Sequence, residues 1–165
     1  MSNLKQAIKQ NYVKCAKSPS YFINEFCTIQ HPQRGKIKFK LYPYQYDVLD
    51  EFEKHDYNVV LKSRQLGIST LSAAYALWMM LFDNDKNILC IATSKDTAKN
   101  LVTKVRIMYE GLPQWLKTAI VENNKLSLIF KNGSQIKAIA SNESAGRSEA
   151  LSLLILDEAA FIDKI

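Results

Sequence analysis

Apolar runs along the chain mark the elements that we expect to form its core. Residues 71–82 are apolar nearly all round over a helical length, which predicts a helix buried against a sheet. Residues 87–93 are a continuous apolar run, typical of a strand in a parallel sheet that is buried on both faces. Residues 151–156, apolar apart from Ser152, predict a second strand. Residues 59–61, Val-Val-Leu, predict another short buried strand. Because these strands alternate with helices, the pattern predicts an α/β fold.

In other segments the spacing of apolar residues is less regular. Their apolar positions predict helices over residues 4–16, 20–28, 44–55, 96–109 and 114–120. Lys104 is expected on the outward face of its helix. Residues 125–130 and 135–140 flank an Asn-Gly pair, which predicts a hairpin. Residues 36–41 alternate lysine with apolar side chains, which predicts a half-buried strand with a basic face.

The charge balance permits contact with nucleic acid without requiring it. The chain has 165 residues and a formal net charge of +6. Lys36, Lys38 and Lys40 either contact a phosphate backbone or protect a solvated edge strand from aggregation. The 3 cysteines have no metal-ligand spacing and indicate unpaired thiols in a reducing compartment. No segment predicts a signal peptide, and the longest apolar run is too short to cross a bilayer.

The residues after the Val-Val-Leu run have the pattern of a phosphate-binding loop. A polar turn containing Gly67 is followed by a helix that opens with Ser69, so backbone N–H groups are expected to point at an anion. The usual pattern is G-x-x-x-x-G-K-[ST], which aligns Ser69 with the Mg²⁺-binding hydroxyl. Ile68 then occupies the lysine position, and Lys62 the position of the first glycine. Either the segment binds no nucleotide, or its lysine has moved to the other end of the loop.

Asp157 and Glu158 directly follow an apolar strand, as in the second half of an NTP-hydrolysis site. Asp157 is expected to hold Mg²⁺, directly or through water. Glu158 is expected to orient and deprotonate the attacking water. Together with the upstream loop, this pair predicts hydrolysis of a nucleoside triphosphate.

Long side chains near the loop are further candidates. Lys62 either reaches the β- and γ-phosphates from the strand side or extends its ammonium to solvent. Arg64 either contacts phosphate or pairs with an acid and stiffens the loop. Gln45, at the start of a helix upstream, either reads an adenine edge, because an amide both donates and accepts, or is an ordinary polar surface residue.

These motifs resemble the N-terminal ATPase domain of the large terminase subunit of tailed phages, most closely the myovirus-type proteins. The resemblance extends over residues 41–162. The residues that carry it are Tyr44-Gln45 as the adenine motif, Lys62 to Thr70 as a deviant Walker A motif, Leu112-Pro113, Asn132-Gly133-Ser134, Arg147, and residues 153–162 as Walker B. Some family members carry the lysine at the front of the loop, as Lys62 stands here, so Ile68 matches a family variant.

The resemblance implies roles for individual residues. The implied ATP-binding residues are Gln45, Ser63, Arg64, Gln65, Leu66, Gly67, Ile68, Ser69 and Thr70. The implied Mg²⁺ ligands are Ser69 and Asp157, and the implied catalytic residues are Glu158, Lys62, Arg64 and Arg147. Arg147 has the family's spacing for an arginine that acts on a neighbouring subunit's γ-phosphate, and Arg64 matches the family's Walker A arginine. Either of them is expected to stabilise the transition state.

The resemblance also implies a P-loop NTPase of the additional-strand, catalytic-glutamate type with a mainly parallel sheet. Residues 1–40 are expected to form an N-terminal extension of short helices and a strand, and residues 41–165 the ATPase core with the hairpin. In this class the strand after Walker B inserts beside the P-loop strand. We therefore expect a core that is truncated after Walker B, with a gap or altered neighbour beside residues 59–61, weak ATP binding and poor turnover.

In the family, ATP hydrolysis drives double-stranded DNA into procapsids. The implied partners are DNA, portal protein, the small terminase subunit and, in the full-length protein, further copies in a ring. The implied place is the host cell cytoplasm, with no membrane and no secretion. The family's nuclease domain needs an acidic metal cluster that this sequence does not supply. Two alternatives stay open: a helicase-type nucleic-acid-stimulated ATPase, against which Ile68 argues, and a non-catalytic assembly fragment with a vestigial site.

Overall fold

The computed structural model describes residues 2–31, 33–141 and 150–162. Its helices are α1 Ser2–Lys17, α2 Pro19–Phe26, α3 Pro43–Lys54, α4 Ile68–Phe82 and α5 Lys95–Gly111. Its strands are β1 Thr28–His31, β2 Gly35–Lys38, β3 Asn87–Ala92, β4 Ile120–Asn123, β5 Ser127–Phe130, β6 Gln135–Ala140 and β7 Leu153–Asp157. β1 and β2 form a two-stranded sheet, and the others form a five-stranded sheet in the order β4-β5-β6-β3-β7.

The central sheet is mixed. β3 pairs in parallel with β6 and with β7, whereas β4 with β5 and β5 with β6 are antiparallel. The second strand of the predicted hairpin, β6, pairs with β3. The first strand, β5, and its neighbour β4 therefore lie toward one edge of the sheet. The α/β class is therefore confirmed, and the expectation of a mainly parallel sheet is not confirmed, because the described sheet is mixed.

β3 and α4 form the centre of the core, as their apolar runs predict. Ile88 and Cys90 on β3 are fully buried in the main hydrophobic cluster, which includes residues of α4 and α5. Leu89, on the opposite face of β3, is also buried. α4 buries most of its residues, and Ile68 and Leu71 in its first turn belong to the same cluster.

The N-terminal helices contribute to the same core. Phe22 and Cys27 are fully buried in the main cluster. The Phe22 ring packs edge-on against Phe82 at the end of α4, with ring centroids 5.6 Å apart. The Trp78 indole N–H donates to the backbone carbonyl of Cys15 at 2.8 Å. These contacts tie α1 and α2 to α4.

Residues 59–61 do not form the predicted buried strand. The side chains of Val59 and Leu61 are 99% and 100% exposed. In the described part of the sheet, β7 is an edge strand that pairs only with β3, so no described strand lies beside residues 59–61. An apolar run forms a buried strand only where a neighbour completes its backbone hydrogen bonds, and that condition is not met here.

Smaller differences concern short polar elements. The sequence pattern predicts neither β1 nor β4, because Thr-Ile-Gln-His and Ile-Val-Glu-Asn lack a clear apolar period. The helix predicted over residues 114–120 is only a 3-10 turn at Gln114–Leu116, since β4 begins at Ile120. Within the described ranges, no helix has the length and apolar character needed to cross a membrane.

Candidate nucleotide-binding site

Ser69 and Asp157 meet at one end of the central sheet. Asp157 ends β7, and its partner in the parallel ladder is Ala92, the last residue of β3. Ser69 lies in the first turn of α4, where backbone N–H groups have no acceptor within the helix. The Ser69 hydroxyl donates a hydrogen bond to Asp157 Oδ1 at 2.9 Å. The contact joins the two segments to which the sequence assigns nucleotide chemistry.

The loop of residues 62–67 turns sharply into α4. Gln65 and Gly67 both have left-handed backbone conformations, with φ of 64° and 70°. A Cβ on Gly67 would lie 3.0 Å from Gln45 Nε2, so both conformation and space favour glycine here. Gly67 is also the N-cap of α4 and offers no side chain to its first amides. Those amides are therefore available to an anion.

Ile68 has a structural reason to replace the usual lysine. Its side chain is 8% exposed and belongs to the main hydrophobic cluster together with Leu71. A lysine with the same side-chain direction would carry its ammonium into the core, which is costly without a partner. The cations of this loop, Lys62 and Arg64, lie instead at its exposed end.

Neither Lys62 nor Arg64 makes a hydrogen bond or an ion pair with any residue in the described ranges. The alternative that Arg64 stiffens the loop by pairing with an acid thus finds no partner among those residues. Ser63 and Gln65 are also exposed, and Leu66 and Thr70 are half-buried. An incoming polyanion would meet these side chains without first breaking an ion pair.

Gln45 is a buried residue, and the alternative of an ordinary surface glutamine is wrong. Its side chain is 1% exposed. Its Nε2 donates to the Leu66 carbonyl at 3.1 Å, and its Oε1 accepts from the Tyr42 backbone N–H at 3.1 Å. The amide thus connects the start of α3 to the 62–67 loop.

Tyr44 is a residue whose role the sequence does not reveal. Its hydroxyl donates to the same Leu66 carbonyl, at 2.8 Å. The sequence marks Tyr44 only as part of a motif, and nothing in its spacing predicts a bond to a loop more than 20 residues away.

Lys104 is less exposed than its predicted outward position on α5 implies. The side chain is half-buried. The pKa of its ammonium is lowered, chiefly by burial; the negative charge of Asp157 opposes this shift, and the positive charge of Lys62 adds to it. A helical wheel places Lys104 outward because it does not show how far the neighbouring segments cover that face of α5.

The oxygen donors at this junction fit a magnesium ion. Mg²⁺ prefers hard oxygen ligands and usually keeps several waters, so one carboxylate and one hydroxyl are a suitable protein contribution. The Ser69 hydroxyl and the Asp157 carboxylate supply these donors. In the described ranges no group of three or more His, Cys, Asp or Glu side chains is placed to hold a metal.

Glu158 follows Asp157 and leaves the sheet. Its backbone is left-handed, with φ of 58°, and it is the N-cap of a 3-10 turn at Ala159–Phe161. Its side chain is exposed, as a residue that acts on an incoming water must be. Arg147 lies outside the described residues.

The lysines of β2 and the residues after it have partners within the protein. Lys36 Nζ lies 3.9 Å from Glu110, and Lys40 Nζ lies 3.8 Å from Glu25. Lys38 Nζ donates to the backbone carbonyl of Glu25 at 2.7 Å. The two ion pairs are long and their side chains are largely exposed, so they are weak and compatible with either interpretation of this lysine face.

The Asn132-Gly133-Ser134 turn fastens the hairpin to the end of α4. Asn132 Nδ2 donates to the Met80 carbonyl at 2.8 Å and to the Asp83 carbonyl at 2.9 Å. The Ser134 hydroxyl donates to the same Asp83 carbonyl at 3.0 Å. Carbonyls at a helix C-terminus lack partners within the helix, so this turn completes α4. The motif is structural and lies at the end of α4 opposite to Ser69.

The fold is shared with a solved phage protein. The crystal structure titled "Crystal structure of the HK97 bacteriophage large terminase" matches this chain with a TM-score of 0.67 at 20% identity. The match covers 86% of this chain and 30% of that chain. This chain therefore has the α/β fold of a region of a phage large terminase, and it spans less than a third of that protein's length.

A family model described as terminase large subunit, T4likevirus-type, N-terminal, matches residues 59–164. The matched range is more than half of the chain and contains Lys62, Ser69, Asp157 and Glu158. The chain belongs to this family and corresponds to the N-terminal region of a T4-like terminase large subunit. This assignment removes the ground for the helicase-type alternative.

Proposed function

We propose that this chain is the ATP-binding and ATP-hydrolysing part of a terminase large subunit, and that hydrolysis drives double-stranded DNA into procapsids. The observation that carries the proposal is the 2.9 Å hydrogen bond between the Ser69 hydroxyl and Asp157. It joins a helix start with uncapped amides to a carboxylate at the end of a strand. A triphosphate needs N–H donors, and its divalent cation needs oxygen ligands; this junction supplies both.

In this proposal the loop residues bind the triphosphate. The backbone N–H groups from Ser63 to Thr70 cradle the phosphates, and the exposed ammonium of Lys62 moves to the β- and γ-phosphates. Lys62 enters from the side of the loop opposite to Ile68, whose buried side chain leaves no place for a lysine there. Arg64 or Arg147 supplies the arginine that stabilises charge in the transition state.

Mg²⁺ would be held by the Ser69 hydroxyl and the Asp157 carboxylate. When bound, the ion would neutralise charge on the β- and γ-phosphate oxygens. Glu158 would orient the attacking water and accept its proton, for which an exposed carboxylate next to the end of β7 is suitably placed.

The test compares wild type with Glu158→Gln, and uses Glu53→Gln, at an exposed position of α3, as the matched control. Phosphate release and the Kd for Mg·ATP are measured for each protein. Glu158→Gln is expected to lose about 10²–10⁴-fold in rate while it retains its affinity for ATP, because only the acceptor of the water proton is removed. Wild-type hydrolysis by Glu158→Gln would contradict the catalytic role. Absence of ATP binding by the wild type would contradict the nucleotide site itself.

The wider setting follows from the family. Double-stranded DNA, the portal protein, the small terminase subunit and further copies of the chain in a ring are the proposed partners, in the cytoplasm of the host cell. A stimulation of ATP hydrolysis by linear double-stranded DNA would support this part of the proposal. ATP hydrolysis that is indifferent to DNA would limit the proposal to the nucleotide site.

One observation favours a second candidate, a non-catalytic assembly fragment. The residues that lead into the loop, Val59 to Leu61, are exposed and unpaired with any described strand, so the strand side of the loop is not fixed. A fragment of this kind would bind other terminase components and leave ATP unhydrolysed. The Kd and rate measurements above separate the two candidates.

A further inference from the structure

We propose that Tyr44 is a positioning residue whose hydroxyl holds the 62–67 loop in place through the Leu66 carbonyl, with Gln45 as the second donor to the same atom. The inference rests on the proposed ATP site. It concerns how the loop is held and assigns to these two side chains a task other than contact with the base.

Both donors come from the first turn of α3. The Tyr44 hydroxyl donates to the Leu66 carbonyl oxygen at 2.8 Å, and Gln45 Nε2 donates at 3.1 Å. A carbonyl oxygen has two lone pairs, so this pair of bonds uses its full accepting capacity. The Leu66 carbonyl lies directly before Gly67, the N-cap of α4, so its position sets the path of the loop into the helix.

The amide of Gln45 is engaged at both ends. Its Oε1 accepts from the Tyr42 N–H at 3.1 Å, and its side chain is 1% exposed. The missing Cβ of Gly67 makes room for Nε2, since a Cβ there would lie only 3.0 Å away. Because both ends of this buried amide are hydrogen-bonded within the protein, it links the start of α3 rigidly to the 62–67 loop.

The ring of Tyr44 is held independently of its hydroxyl. It stacks on Tyr42 with ring centroids 5.8 Å apart and an interplanar angle of 6°, and its half-buried face packs against the core. Replacement by phenylalanine therefore removes the bond to Leu66 and leaves the packing. The hydroxyl of Tyr46, on the same helix, accepts from Asn24 Nδ2 at 2.7 Å and has no bond to the loop. Tyr46→Phe is thus a matched control.

We call the two hydrogen bonds from Tyr44 and Gln45 to the Leu66 carbonyl the clamp. A loop that is already ordered loses less conformational entropy when it binds a polyphosphate. Loss of the clamp should therefore weaken binding of the phosphates themselves. The effect on phosphate binding distinguishes a residue that holds the loop from a residue that contacts the adenine base. The probes are Mg·ATP and Mg·tripolyphosphate, which carries the phosphate chain without a base. A clamp affects both ligands, whereas a contact with adenine affects only the first.

The experiment measures the Kd of both probes by calorimetry for wild type, Tyr44→Phe and Tyr46→Phe. Tyr44→Phe is expected to weaken both ligands equally, about two- to tenfold, which is the net value of one hydrogen bond. Tyr46→Phe is expected to change neither. A loss confined to Mg·ATP, or no loss at all, would overturn the proposal.

Amide hydrogen exchange of the ligand-free proteins gives an independent readout. The amides of residues 66–69 are expected to exchange faster in Tyr44→Phe than in wild type and Tyr46→Phe, while those of β3 are unchanged. Unchanged exchange in the loop would overturn the clamp even if ATP binds. If the wild type binds neither probe, the proposed ATP site fails, and the exchange data still decide whether Tyr44 holds the loop.

Discussion

Ser69 and Asp157 stand 88 residues apart in the sequence, and the Ser69 hydroxyl donates to Asp157 Oδ1 at 2.9 Å. The contact exists because the buried helix α4 and the parallel pair of β3 and β7 share one core. Cys90 pairs with Ile155, and Ala92 pairs with Asp157, so the register of β3 and β7 fixes where the carboxylate lies. A substitution of either side chain should therefore change the Mg²⁺ dependence of ATP binding.

Asp157→Asn should remove the magnesium dependence of ATP affinity. The amide keeps an acceptor for Ser69 but loses the negative charge that a hard cation requires. We expect Mg²⁺ to strengthen ATP binding about tenfold or more in the wild type and to have little effect in the variant. Calorimetry with Mg²⁺ or with EDTA measures this difference. Asp96→Asn, an exposed carboxylate on α5, should behave as wild type; an equal response in Asp157→Asn would argue against the metal site.

Ile68→Lys, which restores the usual loop lysine, should destabilise the protein without improving ATP binding. The side chain at this position is 8% exposed in the main core, and an ammonium there has no partner. The expected loss is about 2 kcal/mol or more in the free energy of unfolding. Urea denaturation measures it, with Ile68→Met as the size-matched control. A stable Ile68→Lys protein that binds ATP more tightly would show that the lysine position is open after all.

Asn132→Ala should weaken the fold and spare the nucleotide site. The substitution deletes the two bonds from Asn132 to the Met80 and Asp83 carbonyls, for an expected loss of about 1–3 kcal/mol in the free energy of unfolding. Asn100→Ala, at an exposed position of α5, is the control and should cost little. The Kd for ATP, measured well below the melting temperature, should stay unchanged. A Kd that rises as much as in a loop variant would mean that the turn acts on the site.

The Cys15 thiol should make stability fall at alkaline pH. Burial, together with the negative charge of Glu25, raises the pKa of Cys15 from 9.0 to about 12. The raised pKa means that the folded protein keeps the proton when the unfolded chain has lost it. The thiol contribution is therefore complete below pH 9 and declines as the pH rises toward 12. Between pH 8 and pH 10 the loss is about 1.4 kcal/mol.

Cys15→Ala has no thiol to ionise. The difference in unfolding free energy between wild type and Cys15→Ala should therefore become smaller by about 1.4 kcal/mol from pH 8 to pH 10. Denaturation curves at the two pH values measure this difference. A difference that is constant with pH would show that Cys15 ionises as readily in the folded protein as in the unfolded chain.

Two apolar runs of similar composition have different structures, one a strand and the other an exposed segment. The sequence alone does not predict this difference. The run that ends in Asp157 is a strand, because β3 lies beside it and completes its hydrogen bonds. The run Val59 to Leu61 is exposed, because no described strand lies beside it. Composition predicts that a segment suits a sheet; the presence of a neighbour is a property of the whole fold.

The site was predictable where its chemistry lies in adjacent residues. The pairing of Ser69 with Asp157 follows from two local motifs, each of which is readable by itself. The bond from Tyr44 to Leu66 and the partial burial of Lys104 depend on how α3 and α5 pack in the fold. Helical period does not fix that packing, so the sequence indicates neither feature.

The affinity of Lys62→Ala for Mg·ATP shows whether this loop binds a triphosphate with a lysine from its strand side. Lys131→Ala, at an exposed position of the hairpin turn, is the matched control. Loss of a charge-assisted bond of about 1.5–3 kcal/mol should weaken binding about 10–100-fold in Lys62→Ala. Lys131→Ala should bind as the wild type does. Equal Kd values for all three proteins would show that Lys62 does not contact the bound triphosphate.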